Sequence, residues 1–204
     1  MVRGKEASQQ MRQESQAHIL AAARKLFAER GYFNCKVSDI ARQAGMSQGN
    51  IYWYYPSKED ILKAILAEGF DRIEAITAKA AAHPGDSAEK LNVLLNLYLE
   101  YSREHADFAA IFISILGHGG APFLKELGFD TLQIGMRYHQ RLGAILEQAQ
   151  AEGVVADVPV DSLAVFYFSF FNGLLLTYRD DWQMVPEQLI RDAVLRLLGA
   201  RQNL

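Results

Sequence analysis

The sequence predicts an all-α chain of about nine or ten helices: an N-terminal three-helix module containing a helix-turn-helix, followed by a larger helical body. Three observations carry this expectation. Apolar residues recur at helical spacing in nearly every window. No alternating strand pattern joined by an Asn-Gly or Asp-Gly hairpin turn is present. The periodic segments are separated by Gly and Pro at positions suited to helix ends. A length of 204 residues fits one compact body plus a small module.

Residues 1–13, MVRGKEASQQMRQ, are polar and read as a flexible arm. They lack the apolar stretch of a signal peptide, so a cytoplasmic location is expected. Segment 15–30 places Ile19, Ala23, Leu26 and Phe27 on one stripe, with Gly31 as its stop. Segment 37–44 turns Val37, Ile40, Ala41 and Ala44 inward, and Gly45 breaks it. Ser47 is placed to cap a short helix over 48–55, which Pro56 closes. Ser57 and Asp60 have capping-box spacing and open a helix to about residue 82, ended by His83-Pro84-Gly85.

The remaining elements follow the same logic. Asp86 to Glu89 starts a helix to about His105, and a second runs from Asp107 to Leu116. The break Gly117–Pro122 precedes a long amphipathic helix over 131–152, built on Ile134, Tyr138, Leu142, Ile145 and Ala149. After a loop over 153–159 come an apolar helix over 161–180 and a last helix over 187–199 behind Pro186. The expected division is an arm (1–13), a helix-turn-helix domain (14–73) and a ligand-binding and dimerisation domain (74–204).

Charge is unevenly placed. Residues 1–65 carry ten Lys/Arg against six Asp/Glu, whereas the rest carries eleven against eighteen. A basic module on an acidic body suits a polyanion-binding surface, although such runs are also often plain solvated faces. A single cysteine, Cys35, excludes an internal disulfide and argues against a cysteine-based zinc site. No metal-spaced His/Cys/carboxylate group, Gly-rich phosphate loop or Ser-His-Asp order suggests catalysis, so no enzyme, metal or cofactor is expected.

The run Tyr52-Trp53-Tyr54-Tyr55 is the sharpest local feature. A helix has one core-facing stripe, so four successive rings cannot all be buried. At 100° per residue Ile51 and Tyr55 share the inner side, while Trp53 points outward with Gly49 and Asn50. Two helices joined by the Gly45-Met46-Ser47 turn make a helix-turn-helix, whose second helix enters the DNA major groove.

The stretches ILAAARKLFAERGY (19–32) and VSDIARQAGMSQGNIYWYYPSKEDIL (37–62) resemble transcriptional regulators of the tetracycline-repressor (TetR) family. The resemblance covers about the first 70 residues. It implies that Gln48, Gly49, Asn50 and Tyr52 approach base edges, and that Trp53, Tyr54 and Lys58 contact phosphates. Val37 and Ser38 match positions near backbone or bases, and Ser47 joins this set as the cap. Asn and Gln can read adenine bidentately, and hydroxyl, indole and ammonium groups donate to phosphate oxygens. The family usually has Thr just before residue 37, where this chain has Cys35-Lys36. Lys36 offers a charge in its place and Asn34 a cap. Cys35 reads as a half-buried packing residue rather than a redox sensor.

The resemblance further implies a double-stranded operator as partner and a homodimer formed through helices 161–180 and 187–199. Ser162 to Tyr178 is free of charge and long enough to reach the lower bound of a membrane span, and dimerisation is favoured over a membrane. An unidentified small effector, apolar or aromatic, would bind among Tyr98, Tyr101, His105, Phe108, Phe112, His118, Phe123, Tyr138, His139, Phe166, Phe170 and Asn172. The same rings also read as plain core, and each histidine as a satisfied core or surface residue. Release of a repressor by ligand is the expected mode, with an activator or a DNA-binding-impaired interaction protein of the same fold as alternatives.

Overall fold

The computed structural model describes the backbone of residues 2–178, 181 and 184–200, and their side chains except those of 2–6, 132, 135, 138 and 139. Among the described residues there are ten α-helices and no strand. They are α1 (Val2–Arg30), α2 (Val37–Gln43), α3 (Gln48–Tyr54), α4 (Lys58–Ala81) and α5 (Ser87–Glu104). The others are α6 (Ala106–Gly117), α7 (Ala121–Glu126), α8 (Thr131–Ala151), α9 (Val160–Thr177) and α10 (Glu187–Leu197).

Two compact units emerge. One comprises Met1–Gly69 together with Ile111–Gly120, the other Phe70–Ala110 together with Ala121–Leu204. The sequence places a single boundary at 73/74 and does not anticipate the return of Ile111–Gly120 to the first unit. Apolar burial there draws on α6, whose run AAIFISIL is apolar enough to serve two cores.

In the first unit, Ile19, Leu26 and Phe27 of α1, Ile40 of α2, Ile51 of α3 and Ile61, Leu62 and Leu66 of α4 are all fully buried. The α2–α3 turn is a Schellman motif. Gly45 N–H donates to the Arg42 carbonyl at 3.2 Å, and Met46 N–H to the Ala41 carbonyl at 2.9 Å. The motif needs a left-handed residue, and Gly45 supplies it at φ +61°.

Helix α1 begins at Val2 rather than near 15. Residues 5–14 are Lys, Glu, Ala, Ser, Gln, Met and Arg, mostly good helix formers, but without an apolar stripe they give no periodicity signal. Helix α7 lies where the sequence reading has only a break. Pro122 occupies its first turn, and Phe129 N–H closes on the Leu124 carbonyl at 2.8 Å. Six residues are too few to show a period.

In the second unit α8 packs against α5, α7 and α9, and α10 packs against α9. Leu163, Tyr167, Phe171 and Leu175 form the buried stripe of α9. Val165, Phe166 and Leu176 on α9 and Leu189 and Leu197 on α10 are exposed. By length and composition α9 could cross a membrane, and 28% of it is buried within the chain.

Candidate nucleic-acid interface

The exposed side of α3 follows from how its other side is anchored. Ile51 is fully buried and Tyr55, the residue that ends the helix, is buried beside it. Ser47 caps the start, its Oγ accepting the Asn50 N–H at 3.1 Å. With that register fixed, Ser47, Gln48, Gly49, Asn50, Tyr52 and Trp53 all face outward. Tyr52 is 44% and Trp53 63% exposed, and Tyr54 is half-buried. The four rings therefore divide as the helical wheel requires. Trp53 and Tyr54 meet edge-to-face at 4.6 Å.

Gly49 has no internal role in packing. A Cβ built there meets nothing within 4 Å, and its backbone is helical. Trp53 is steadied from α1, where the Arg12 guanidinium lies 5.2 Å from its ring centroid, a cation–π distance. Sequence reasoning misses Arg12, because nothing local marks it and the segment reads as an arm.

Behind this face the α1–α2 loop is pinned. Lys58 Nζ donates to the carbonyls of Tyr32 at 3.1 Å and Cys35 at 2.9 Å, and sits 4.1 Å from the Tyr32 ring centroid. The Tyr32 hydroxyl donates to Glu59 Oε1 at 3.0 Å. Two of the three N–H bonds of the Lys58 ammonium are thus spent inside the fold, which leaves one for an outside partner. The Val37 side chain is buried. Ser38 is half-buried and Lys36 exposed.

In place of the hydroxyl cap expected before α2, the Asp39 carboxylate accepts the Lys36 N–H at 3.0 Å. Asn34 does not cap α2; its Nδ2 donates to the Arg30 carbonyl at 2.9 Å, at the end of α1. Cys35 is buried, its thiol pointing at the Leu26 carbonyl at 3.4 Å, and burial pushes its pKa up. It is a packing residue, poorly suited to redox chemistry. At the start of α4, Ser57 Oγ accepts the Asp60 N–H at 3.1 Å and donates to the Asp60 carboxylate at 2.7 Å.

Residues 19–65 match the family model described as bacterial regulatory proteins, tetR family. The chain is similar to the HTH-type transcriptional regulator AcrR of Shigella flexneri, at 24% identity over 185 residues, covering 88% of this chain and 83% of that one. It is similar also to the HTH-type transcriptional regulator TtgR of Pseudomonas putida, at 24% identity over 182 residues, covering 87% and 84%. Among solved structures, the TetR family transcriptional regulator PfmR from Thermus thermophilus superposes with a TM-score of 0.76 at 27% identity, over 91% of this chain and 99% of that one. Residues 19–65 belong to the TetR family.

A chain carrying this domain is a DNA-binding transcriptional regulator, and its relatives are regulators rather than enzymes. The second unit holds only part of the expected effector set. Tyr98 and Phe108 are buried, and Tyr101, His105, Phe123 and Phe170 are half-buried. His105 stacks on Tyr101 at 4.8 Å and its Nε2 lies 2.6 Å from Arg72 Nη1. Phe112 and His118 belong to the first unit, where exposed His118 lies 6.0 Å from the Phe33 ring and holds the Ser114 carbonyl. Phe166 and Asn172 are exposed on α9. The side chains of Tyr138 and His139 lie outside the described residues.

The rings that do meet inside include two the sequence reading passes over. Tyr98 approaches Phe171 at 4.6 Å and Tyr167 at 5.9 Å. Helix α9 is apolar almost all round, so periodicity gives it no phase. The four-residue spacing of Leu163, Tyr167, Phe171 and Leu175 was the available signal, against the neighbouring Phe166 and Phe170.

Proposed function

We propose that this regulator is a homodimeric repressor that binds a palindromic operator through α3 and is released by a small, mostly apolar effector. The observation that carries the proposal is the outer face of α3. Gln48, Gly49, Asn50, Tyr52 and Trp53 are presented to solvent by a helix anchored on its opposite side. Two large exposed rings beside a glycine that packing does not require suit a ligand that approaches the backbone closely.

In this reading Gln48 and Asn50 hydrogen-bond base edges, and Tyr52 meets a thymine methyl. Trp53, Tyr54, Ser47, Ser38 and Lys36 hold the sugar-phosphate backbone. Lys58 positions the α1–α2 loop and offers phosphate only its third N–H. Val37 takes part only through its backbone. The exposed apolar residues of α9 and α10 support a second copy of the chain as their cover, which would bring two α3 helices onto half-sites related by the dimer two-fold. Effector binding in the second unit selects a dimer whose α3 helices are wrongly spaced. By linkage, operator then weakens the effector by the same factor. A cytoplasmic location follows from this role.

Gel-shift titration against the DNA upstream of the chain's own gene tests the proposal. A specific shift, weakened at least about tenfold by Trp53→Ala through loss of a good contact, is expected. No specific shift, or an unchanged one in Trp53→Ala, removes it. Sedimentation showing a monomer at micromolar concentration, or a dimer unaffected by Leu176→Arg and Leu189→Arg, removes the dimer assignment.

A further inference from the structure

Two buried hydroxyls in the second unit have no hydrogen-bond partner, Ser102 Oγ on α5 and Tyr167 OH on α9. Their residues are 1% and 2% exposed. Buried polar groups in folded proteins are nearly always paired, and an orphan calls for a missing partner. Ser102 is the more telling of the two. A serine or threonine inside a helix can satisfy itself by donating to a carbonyl one turn back. Thr77 on α4 does so, its Oγ1 3.0 Å from the Ile73 carbonyl, and Thr177 does so at 2.9 Å from Gly173. Ser87, also buried, is held by Glu152. Ser102 makes neither kind of bond.

Both orphans are related to Tyr98, one by its spacing along α5 and one by ring contact. Ser102 follows Tyr98 by one turn on the same face of α5. Tyr167 meets the Tyr98 ring edge-to-face, and Phe171 packs on both. The surroundings are otherwise apolar. Among the described residues no charged side chain is buried, and the buried polar ones are Thr77, Ser87 and Ser102. A buried ion would find no counter-charge here and would bear its full desolvation cost. Burial also holds the Tyr98 and Tyr167 phenols protonated, so both stay neutral donors.

We propose that Ser102 and Tyr167 form the polar end of the effector site, and that the effector is a neutral, ring-containing molecule bearing a carbonyl or hydroxyl oxygen. The oxygen pairs with an orphan hydroxyl, and the ring lies against the cluster of Tyr98, Tyr167 and Phe171. The proposal rests on reading the second unit as the effector-binding part. It adds the chemical class and the residues that select it.

The test uses the full-length protein and matched probes: naphthalene with 2-naphthol, ethylbenzene with acetophenone, and benzoate as an anion. Binding is read by calorimetry and by the shift of the thermal midpoint. One hydrogen bond distinguishes the members of each pair, so the oxygenated member of at least one pair binds roughly three- to tenfold tighter than its hydrocarbon. Tyr167→Phe and Ser102→Ala bring that ratio close to one. Without probe, both variants melt no lower than the parent, because no bond is lost. Four results overturn the assignment: hydrocarbons binding as well as their oxygenated partners, benzoate preferred, no member binding, or ligand-free variants melting several degrees lower, which would mean the hydroxyls are already paired. Gel-shifts with the same preparations separate this from the repressor reading. Loss of operator binding alone refutes that reading and leaves the probe ratios standing.

Discussion

Replacing Gly49 by alanine adds one methyl group to the outer face of α3. Gly49 is the second residue of that helix, and the new Cβ meets nothing within 4 Å. Within the free protein the change removes only the excess backbone entropy of glycine. Glycine inside a helix costs about 0.5–1 kcal/mol relative to alanine, and a first-turn position belongs near the lower figure. For a chain of this size, about 0.5 kcal/mol raises the thermal midpoint by roughly 1–2 °C. Against DNA the sign reverses. A methyl forced into a well-packed contact costs about 1–3 kcal/mol, an affinity loss of roughly 5- to 150-fold. Thermal denaturation and a gel-shift titration on one preparation read both numbers. If stability rises and operator affinity does not fall, DNA does not approach Gly49, and the assignment of this face is wrong. If stability falls, the space around Gly49 is not open.

Three further outcomes follow from the same geometry. Ile51→Ala empties a fully buried site that orients α3, and urea denaturation should show a loss of about 2–5 kcal/mol. Lys58→Met removes two charge-assisted hydrogen bonds to the Tyr32 and Cys35 carbonyls; a lower thermal midpoint and a loss of about 1.5–3 kcal/mol are expected, with Lys58→Arg intermediate. Glu152 and Glu187 are held below the usual carboxylate value of 4.5, Glu152 chiefly by the Ser87 hydroxyl and Glu187 chiefly by Arg191. Groups depressed on folding stabilise above their unfolded pKa and lose that contribution as pH falls through the folded one. The midpoint should therefore be level near neutrality and fall below about pH 4.5, with a shallower fall in Glu152→Gln.

What the sequence revealed and what it hid divide along physical lines. The helix-turn-helix was legible because each local signal agrees: an inward stripe in α2, Gly45 for a left-handed turn, Ser47 for a cap, and Ile51 with Tyr55 four apart. The start of α1 was hidden because an exposed helix of good formers has no stripe, and α7 because it is shorter than two turns. The fate of Lys58 was hidden for another reason. Its partners are carbonyls 26 and 23 residues away, and backbone acceptors leave no trace in side-chain pattern. The second unit was least legible, since an all-round apolar α9 does not say which ring faces in.

The inward turn of Lys58 leaves a reading head that is polar but almost uncharged: α3, QGNIYWY, contains no lysine or arginine. Each phosphate neutralised by a cation contributes about −0.9 to the slope of log affinity against log salt, through release of condensed counterions. Hydroxyl, amide and indole donors release none. In the proposed complex α3 itself therefore adds little to that slope, and the salt dependence rests on cations elsewhere in the module, such as Lys36 and Arg12. α3 would likewise add little hold on random DNA, whose attraction is almost wholly electrostatic. Selectivity then comes as much from letting go of the wrong sequence as from holding the right one.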